Sequence, residues 1–236
     1  MDIGKSFTFV TEDEKWLSKM VVGAIIAAVP ILNFAWMGYM IDVMRRVLRN
    51  DPMPLPDWGD LGEKFMQGLL ISIASFIYSL PALIVLCLPM GFMIAASSAS
   101  ADAGEALAAI GGVTSVLLVC CLMIYGLAIS FLFPAISLNY AEAGTFASCF
   151  EFGKIWARAQ ANLSAYLTAW LVILAAGFGV TIVIGLVGGL LGWIPCLGQI
   201  LLMAVAGIAS AYMGAVYGHL FGQVGSQNPP IDAHLL

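Results

Sequence analysis

The stretch LVILAAGFGVTIVIGLVGGLLGWIPCLGQILLMAVAGIAS, residues 171–210, decides the fold. It lies inside an interval, residues 159–231, that contains no Asp, Glu, Lys or Arg over 73 residues. A helix that crosses a bilayer needs about 20 apolar residues, so this interval is long enough for two crossings. Gly and Pro in the segment 192–198 mark the turn between them, and Trp193 suits the membrane interface.

Three further intervals lack charged residues: 20–41, 65–101 and 106–141. A charged side chain at mid-bilayer costs roughly 2.5–3.5 kcal/mol, so we expect each interval to hold one membrane passage. The chain has 236 residues, of which 61% are hydrophobic and 10% are charged, whereas soluble domains carry about 25% charged residues. We therefore predict an all-α, polytopic integral membrane helical bundle with about five membrane segments and two interfacial amphipathic helices.

All predicted segments belong to a single membrane domain, residues 1–236. They are an interfacial helix at 1–19, membrane segments at 20–44, 63–96, 106–138, 163–191 and 199–224, a Pro-rich connector at 49–62, and a second interfacial helix at 145–160. A signal peptide is not expected, because the first apolar stretch follows the acidic sequence TEDEK and has no convincing small-residue cleavage site.

The nine Lys and Arg residues predict the orientation. Six of them lie in the loops that follow the first and third membrane segments: Arg45, Arg46, Arg49, Lys64, Lys154 and Arg158. Basic loops stay in the cytoplasm, so these two loops are predicted to be cytoplasmic. The C-terminus is then cytoplasmic as well, in a cell membrane of the bacterial inner membrane type.

The first membrane segment leaves two alternatives open. Pro30 and Asn33 lie near its centre, where Pro removes a backbone hydrogen bond and Asn offers a substitute partner. Two half-length helices that enter the membrane and return would keep Lys5, Lys15 and Lys19 on the cytoplasmic side. A Pro-kinked span would instead put these three lysines outside. The re-entrant hairpin needs cover from other helices, because irregular backbone at that depth is tolerated only inside protein.

Two short segments carry a capping-box pattern, Thr11–Glu14 and Ser148–Glu151. Each predicts a helix that lies in the cytoplasmic interface just before a membrane segment. In the second helix an apolar face and a charged face are expected, with Trp156 in the same helix. The apolar face holds Phe146, Cys149, Phe150, Gly153 and Ala157, and the charged face holds Glu151, Lys154 and Arg158.

The connector begins RNDPMPLPDWGD at residue 49. Its prolines forbid a helix and favour an extended segment along the membrane surface, after which Asp57 or Asp60 caps the next helix. Trp58 is expected at headgroup depth. One interpretation is a rigid connector that orients the following helix. The other is a docking edge for a cytoplasmic partner, formed by Pro54, Leu55, Pro56, Asp57 and Trp58.

These residues also carry a resemblance to a known family. Its marks are Phe7, Trp16, Gly38, Tyr39, Arg45, the run Leu55–Trp58, Phe65, Gly68, the run Tyr140–Glu142 and Phe150. They resemble a family of bacterial and archaeal polytopic membrane proteins catalogued as a domain of unknown function, number four thousand and thirteen. The resemblance covers nearly the whole chain, and it implies no chemistry.

Motifs that carry chemistry are scarce. The five cysteines form no CxxC pair, and most lie in or beside apolar runs where Cys behaves as a small hydrophobe. We expect no disulfide, no metal site and no cofactor. His219, near the end of the last membrane segment, either relays protons or binds a ligand, or is an interfacial residue; His234 lies in the tail. Without HExxH, a glycine-rich phosphate loop or a Ser-centred nucleophile motif, no catalytic residue is predicted, and the protein is not expected to be an enzyme.

Small residues repeat every four positions on the last two membrane segments, and such ridges let helix backbones approach closely. One ridge holds Gly177, Thr181, Gly185 and Gly189, and the other holds Ala206, Ser210, Gly214, Gly218 and Gly222. The simpler interpretation is that the two ridges pack on each other. The alternative is that one of them receives a second subunit or a different membrane protein.

Two functions remain open. The first is a non-enzymatic accessory or scaffold subunit of a larger membrane protein assembly, with membrane lipids and either other membrane subunits or further copies of the chain as partners. The second is a carrier or flippase-like protein for lipid or another apolar small molecule, with Pro81 and Pro134 kinking the helices along its path. Ion-coupled transport is disfavoured, because the spans hold no ionisable group except His219. No nucleic-acid partner is expected.

Overall fold

The computed structural model describes residues 1–194 and 196–227, except the side chains of residues 88, 89, 92 and 101. Pro195, and the tail from residue 228 with His234, lie outside the described residues. The described chain is helical, with a short 3-10 helix at Phe146–Phe150 and no strand. The helices are α1 Ile3–Glu12, α2 Trp16–Ala28, α3 Asn33–Leu48, α4 Leu61–Ser98, α5 Ala101–Ala143, α6 Phe152–Ala161, α7 Leu163–Leu191 and α8 Leu197–Ser226.

Four helices are long and apolar enough to cross a membrane, in Leu61–Cys87, Asp102–Ala143, Leu163–Leu191 and Leu197–Ser226. Their surfaces carry large apolar side chains such as Ile124, Phe178 and Leu190, each at least 69% exposed. Because a lipid-facing surface is apolar whereas a water-facing one is not, the chain is a multi-pass integral membrane protein. The all-α prediction is confirmed in the described residues.

The first apolar segment is not one helix over 20–44. It consists of α2 and α3, which are separated at residues 29–32 around Pro30. Pro30 lacks the backbone N–H that a continuous helix would use. The side-chain amide of Asn33 donates to the carbonyl oxygen of Ala27 at 3.0 Å, which is the substitute bond that the sequence predicted.

The described chain divides into two compact units. The first contains Met1–Ser72 and Pro134–Leu236, and the second contains Ile73–Phe133. Within the second unit, α4 and α5 run antiparallel: the hydroxyl of Tyr125 donates to the carbonyl of Tyr78, and Gly104 lies beside the carbonyl of Ala96. The candidate functional site lies in the first unit.

Helix α8 is the centre of the first unit, and α2 runs antiparallel to it. Gly23 of α2 faces Ala211, whereas Ala24, one residue later, faces Gly207. The position on α8 therefore falls as the position on α2 rises.

Helix α3 runs parallel to α8. Trp36 meets Gly214, Val43 meets Gly218 and Val47 meets Gly222, so positions on the two helices rise together. Since α2 and α3 run in opposite directions along one helix, they form a helical hairpin whose two open ends lie beside the C-terminal half of α8.

The hairpin is shorter than a membrane span. Its arms have 13 and 16 residues, about 20 and 24 Å at 1.5 Å per residue, against a hydrocarbon core of about 30 Å. Its turn exposes apolar side chains, and Ile31 is 69% exposed. This geometry is the one that a re-entrant hairpin requires, and its insertion into the membrane stays a prediction.

All nine Lys and Arg residues lie at the same end of the first unit, where α8 ends. Lys5 faces Gln223 and Ser226 near the end of α8, and Lys15 precedes α2. Lys19 contacts the connector, and three arginines lie at the end of α3. Lys64 lies at the start of α4, and Lys154 and Arg158 lie in α6. The hairpin therefore returns the chain to the end where it began.

Candidate functional site

The first feature of the candidate site is the crossing of α3 and α4. A Cβ added at Gly38 would overlap the carbonyl oxygen of Lys64, and one added at Gly68 would overlap the carbonyl oxygen of Phe34. The two backbones are therefore in contact, and glycine is required at both positions. Phe34 and Phe65 pack edge to face beside the crossing, with ring centroids 5.8 Å apart.

An aromatic pair joins the connector to α3. The rings of Tyr39 and Trp58 are stacked at 4.3 Å with an interplanar angle of 13°. The indole N–H of Trp58 donates to the carbonyl of Lys19 at 2.8 Å, and the ring also contacts Gly23. Trp58 is thus held against the hairpin, and its predicted position at headgroup depth stays a prediction.

Lys19 is a buried cation that ties three segments together. Its Nζ donates to Asp13 at 2.7 Å and to the carbonyl of Leu55 at 3.0 Å, and lies 3.0 Å from Asp57. Burial alone would raise the pKa of Asp13, but the hydrogen bonds from Lys19 and from the backbone N–H of Lys15 outweigh it, and the pKa is lowered. The Asp13 side chain is therefore an ionised carboxylate at neutral pH.

The connector lies against the protein. Leu55 and Pro56 are buried, Pro54 and Trp58 are partly buried, and Asp57 is exposed. Asp57 pairs with Lys19 rather than lying at the start of α4. Helix α4 begins at Leu61, so Asp60 is the residue that directly precedes it. The segment 54–58, one interpretation of which was a docking edge for a partner, is largely buried against the rest of the protein. This burial favours the interpretation as a rigid connector.

A cleft of about 540 Å³ opens where α3 and α5 end. Arg45 spans its base, because Nε donates to the carbonyl of Ala141 at 3.0 Å and a terminal nitrogen to Asp42 at 3.1 Å. Gly144, with φ +69°, turns the chain at its rim in a conformation that glycine adopts readily. We call this space the arginine cleft; it is lined by Asp42, Arg45, Arg46, Arg49, Glu63, Gln67 and the segment 140–144.

The second interfacial segment differs from its prediction. The 3-10 helix at 146–150 and α6 have different residues per turn, so the predicted continuous faces are broken at Glu151. Gly153 is exposed, whereas Arg158 is buried and bonded to Glu142. Lys154 pairs with Glu151 at 3.4 Å, and the rings of Phe146 and Phe150 are 5.3 Å apart. Trp156 is 53% exposed, as an interfacial side chain would be.

Neither predicted capping box caps a helix. Thr11 lies in the last turns of α1 and donates to the carbonyl of Thr8, and Ser148 donates to that of Thr145. The N-caps of α2 and α6 are Lys15 and Glu151, without a side-chain cap bond. Asp13 instead bonds the N–H of Lys15 at 2.7 Å, which turns the chain between α1 and α2.

His219 holds α1 against α8. Its ring stacks on Phe9 at 4.2 Å, and its Nδ1 lies 3.0 Å from the hydroxyl of Ser6 and 3.1 Å from the amide of Gln223. Since Ser6 is fully buried, this pair does not present an accessible nucleophile. Phe9, His219 and Gln223 line a cleft of about 310 Å³ with Lys5 and Glu12.

The two small-residue ridges do not pack on each other. Gly214, Gly218 and Gly222 of α8 are covered by α3, and Ala206 and Ser210 line a small cleft with Trp36. The α8 ridge therefore packs against the hairpin. The larger side chains of α3 fill the space above the small residues of α8. On α7, a Cβ at Gly177, Gly185 or Gly189 would meet no atom within 4 Å, and Thr181 is exposed.

The described residues offer little chemistry. They contain no group of three or more His, Cys, Asp or Glu that could hold a metal ion. Burial raises the pKa of the Cys149 thiol to about 11, so this thiol is protonated at neutral pH and is a poor nucleophile.

The ion pairs of Asp13, Asp42 and Lys64 were not predicted from the sequence. Asp42 forms ion pairs with Arg45 and with Lys64, whose Nζ lies 3.3 Å from the Asp42 carboxylate. A signal existed, because Asp42 is the acidic residue that ends the charge-free interval 20–41. Its partner could not be identified, since Lys64 lies across a proline-rich connector.

A family model described as "Protein of unknown function (DUF4013)" matches residues 21–193. That range includes both glycines of the α3–α4 crossing, the Tyr39–Trp58 pair and the arginine cleft. No curated protein and no solved structure matches the chain.

Proposed function

This chain belongs to the DUF4013 family of proteins of unknown function, and from that premise we propose that it is a non-enzymatic accessory subunit of a larger membrane protein assembly. Its partner is another membrane protein, which contributes a transmembrane helix. The assignment rests on one contrast, between the filled ridge of α8 and the open ridge of α7.

The small residues of the α8 ridge allow α3 to pack closely against α8. Gly218 lies so close to α3 that a Cβ there would be 2.6 Å from the carbonyl of Met40. In lipid, helices associate through close packing of this kind, because there is no hydrophobic drive between them. A small-residue ridge is therefore useful to a membrane helix when another helix covers it.

The α7 ridge has the same spacing, and none of the described residues covers it. Gly177, Gly185 and Gly189 face open space, and lipid gains little at such a surface, whereas a partner helix gains dispersion contacts along the whole ridge. Thr181 adds a hydroxyl at the same surface; it bonds the carbonyl of Gly177 at 2.9 Å. These features support a partner on α7.

The orientation proposal uses the nine basic residues. Because they gather at one end of the first unit, and because basic residues are retained in the cytoplasm, we place that end in the cytoplasm of a membrane of the bacterial inner membrane type. The C-terminal end of α8 then faces the cytoplasm as well.

The alternative, a carrier for lipid or another apolar molecule, has less support. The core of the first unit is filled by large side chains, and Tyr39, Tyr140, Tyr166 and Phe221 are each at most 1% exposed. A carrier needs an interior passage, and these side chains occupy the interior of that unit.

Native mass spectrometry of the protein extracted in mild detergent tests the assembly proposal. We expect a complex of defined stoichiometry, in which a different partner or a second copy is recognised by its mass. Gly185→Leu places a large side chain on the α7 ridge and should weaken the complex roughly tenfold, equivalent to about 1.4 kcal/mol.

Gly126→Leu is the matched control, because Gly126 also lies in a membrane-spanning helix and faces open space. It should leave the complex intact. Recovery of the wild type as a monomer alone, or equal behaviour of the two variants, would rule out the proposed role of α7.

A further inference from the structure

The arginine cleft combines open volume with unused positive charge. It occupies about 540 Å³, within the roughly 300–1,000 Å³ that small-molecule sites occupy. Three arginines reach it from the end of α3. The nature of its ligand depends on which charges the protein has already neutralised.

The acidic residues of the cleft are engaged by the protein. Asp42 pairs with Arg45 and Lys64, and Glu63 accepts a hydrogen bond from the amide of Gln67 at 2.7 Å. Glu142 is bonded to Arg158, which lies outside the cleft lining. Asp42 and Glu142 are therefore each compensated by a basic side chain, whereas Glu63, which is bonded to a neutral amide, keeps its negative charge.

Two of the arginines can still bind a ligand. Arg46 forms one long ion pair, with Asp51 at 3.8 Å, and its side chain is 39% exposed. Arg49 is exposed, and the structure gives it no ion pair among the described residues. The carbonyl ends of helices attract cations, and Arg45 uses its Nε in this way, but Arg46 and Arg49 make no such side-chain bond in the described part.

The cleft also lies at a distinctive depth. Ala143 and Gly144 line it, and Ala143 is the last residue of the membrane-spanning helix α5. Helix α5 has 43 residues, about 64 Å at 1.5 Å per residue, and a bilayer with its headgroups is about 40–45 Å thick. Because charged residues surround Ala143, we expect this end of α5 at the headgroup layer or outside it. Guanidinium groups recognise phosphate through paired, charge-assisted hydrogen bonds.

We propose that the arginine cleft binds a phosphate group through Arg46 and Arg49, with Arg45 holding the base of the site. The phosphate is carried either by a phospholipid headgroup, which reaches the cleft from the adjoining membrane, or by a soluble phosphate-bearing molecule. This site is separate from the α7 ridge, so it stands or falls independently of the proposed assembly.

Thermal unfolding of the purified full-length protein in detergent tests the proposal with two probes. One is dioctanoyl phosphatidylglycerol, compared with dioctanoylglycerol, which has the same chains and no phosphate. The other is inorganic phosphate, compared with chloride at equal ionic strength. We expect at least one phosphate-bearing probe to raise the Tm in a saturable manner while its comparison compound does not.

The double variant Arg46→Gln/Arg49→Gln should weaken that binding at least about tenfold, since each arginine contributes charge-assisted bonds. Lys15→Gln/Lys154→Gln removes the same charge outside the cleft and should bind within about twofold of wild type. If the double variant fails to fold, Arg49→Gln alone replaces it, because Arg49 has no ion pair among the described residues to lose.

A shift with the lipid alone assigns a headgroup site, and a shift with inorganic phosphate assigns a site for soluble phosphate. The proposal is overturned if neither probe raises the Tm. It is also overturned if the cleft variant binds as tightly as the Lys15 and Lys154 control.

Discussion

Lys19 shows how one residue organises the end of the first unit that carries the basic residues. A buried cation is tolerated only when it is paired and hydrogen-bonded, and Lys19 has Asp13, Asp57 and the carbonyl of Leu55. These partners come from the turn before α2 and from the connector. One side chain therefore joins the N-terminus, the hairpin and the connector.

The lowered pKa of Asp13 gives a pH prediction. A carboxylate whose folded pKa lies below its unfolded value stabilises the protein above about pH 4, and this contribution is lost as the pH falls through the folded pKa. Asp13→Asn should lower stability at pH 7 by about 1.5–3 kcal/mol, the range for hydrogen bonds to charged groups. It should also flatten the dependence of Tm on pH below pH 4.

Thermal unfolding between pH 3 and pH 7 measures both effects. Asp102→Asn, which alters an exposed carboxylate in the second unit, should behave as wild type throughout. The stabilising role of Asp13 is disproved if Asp13→Asn keeps the wild-type Tm at pH 7 and the wild-type acid dependence.

At the scale of elements, the crossing of α3 and α4 fixes where the hairpin ends and the first long span begins. The contact is made by backbone atoms, because Gly38 and Gly68 have no side chain to separate the helices. Both glycines are among the residues that resemble the family. Their presence is explained by packing rather than by chemistry.

Gly68→Ala should destabilise the protein by about 1–3 kcal/mol, the usual cost of overpacking, because the new methyl would overlap the carbonyl oxygen of Phe34. Gly62→Ala, in the same helix and facing open space, should be neutral or stabilising by up to about 1 kcal/mol through helix propensity. Thermal unfolding of the two variants gives the comparison. Similar Tm values would mean that the two helices are not in contact at Gly68.

At the scale of the whole molecule, the hairpin returns the N-terminal segment to the end of the first unit where α8 ends. Lys5, Lys15 and Lys19 gather with the other six basic residues only because α2 and α3 run in opposite directions. A single span would have separated the two groups across the membrane.

A cysteine at position 5, in a chain whose five native cysteines are replaced, tests this topology. We expect Lys5→Cys to resist a membrane-impermeant maleimide in intact cells and to react after permeabilisation. Ser100→Cys, between α4 and α5, is the positive control and should react in intact cells. Labelling of Lys5→Cys in intact cells would instead show that the first segment spans the membrane.

Part of this structure was predictable from local chemistry. Charge-free intervals predict membrane helices because the free energy of inserting a helix into a bilayer can be estimated residue by residue. Pro30 with Asn33 predicts the break in the first segment. The ridges show the limit of this reasoning. The spacing of Gly214, Gly218 and Gly222 is visible in the sequence, but spacing does not identify the helix that covers them, and α3 rather than α7 does so.

The sequence by itself determined that this chain is an all-helical membrane protein, that it belongs to its family, and that its basic residues are confined to a few segments. Only the tertiary structure decided that Lys19 pairs with Asp13 and Asp57, that Arg158 is buried against Glu142, and that Arg46 pairs with Asp51 only at 3.8 Å. The physical reason is that hydropathy is a property of each residue, whereas neutralisation of a charge depends on which distant segment folds beside it.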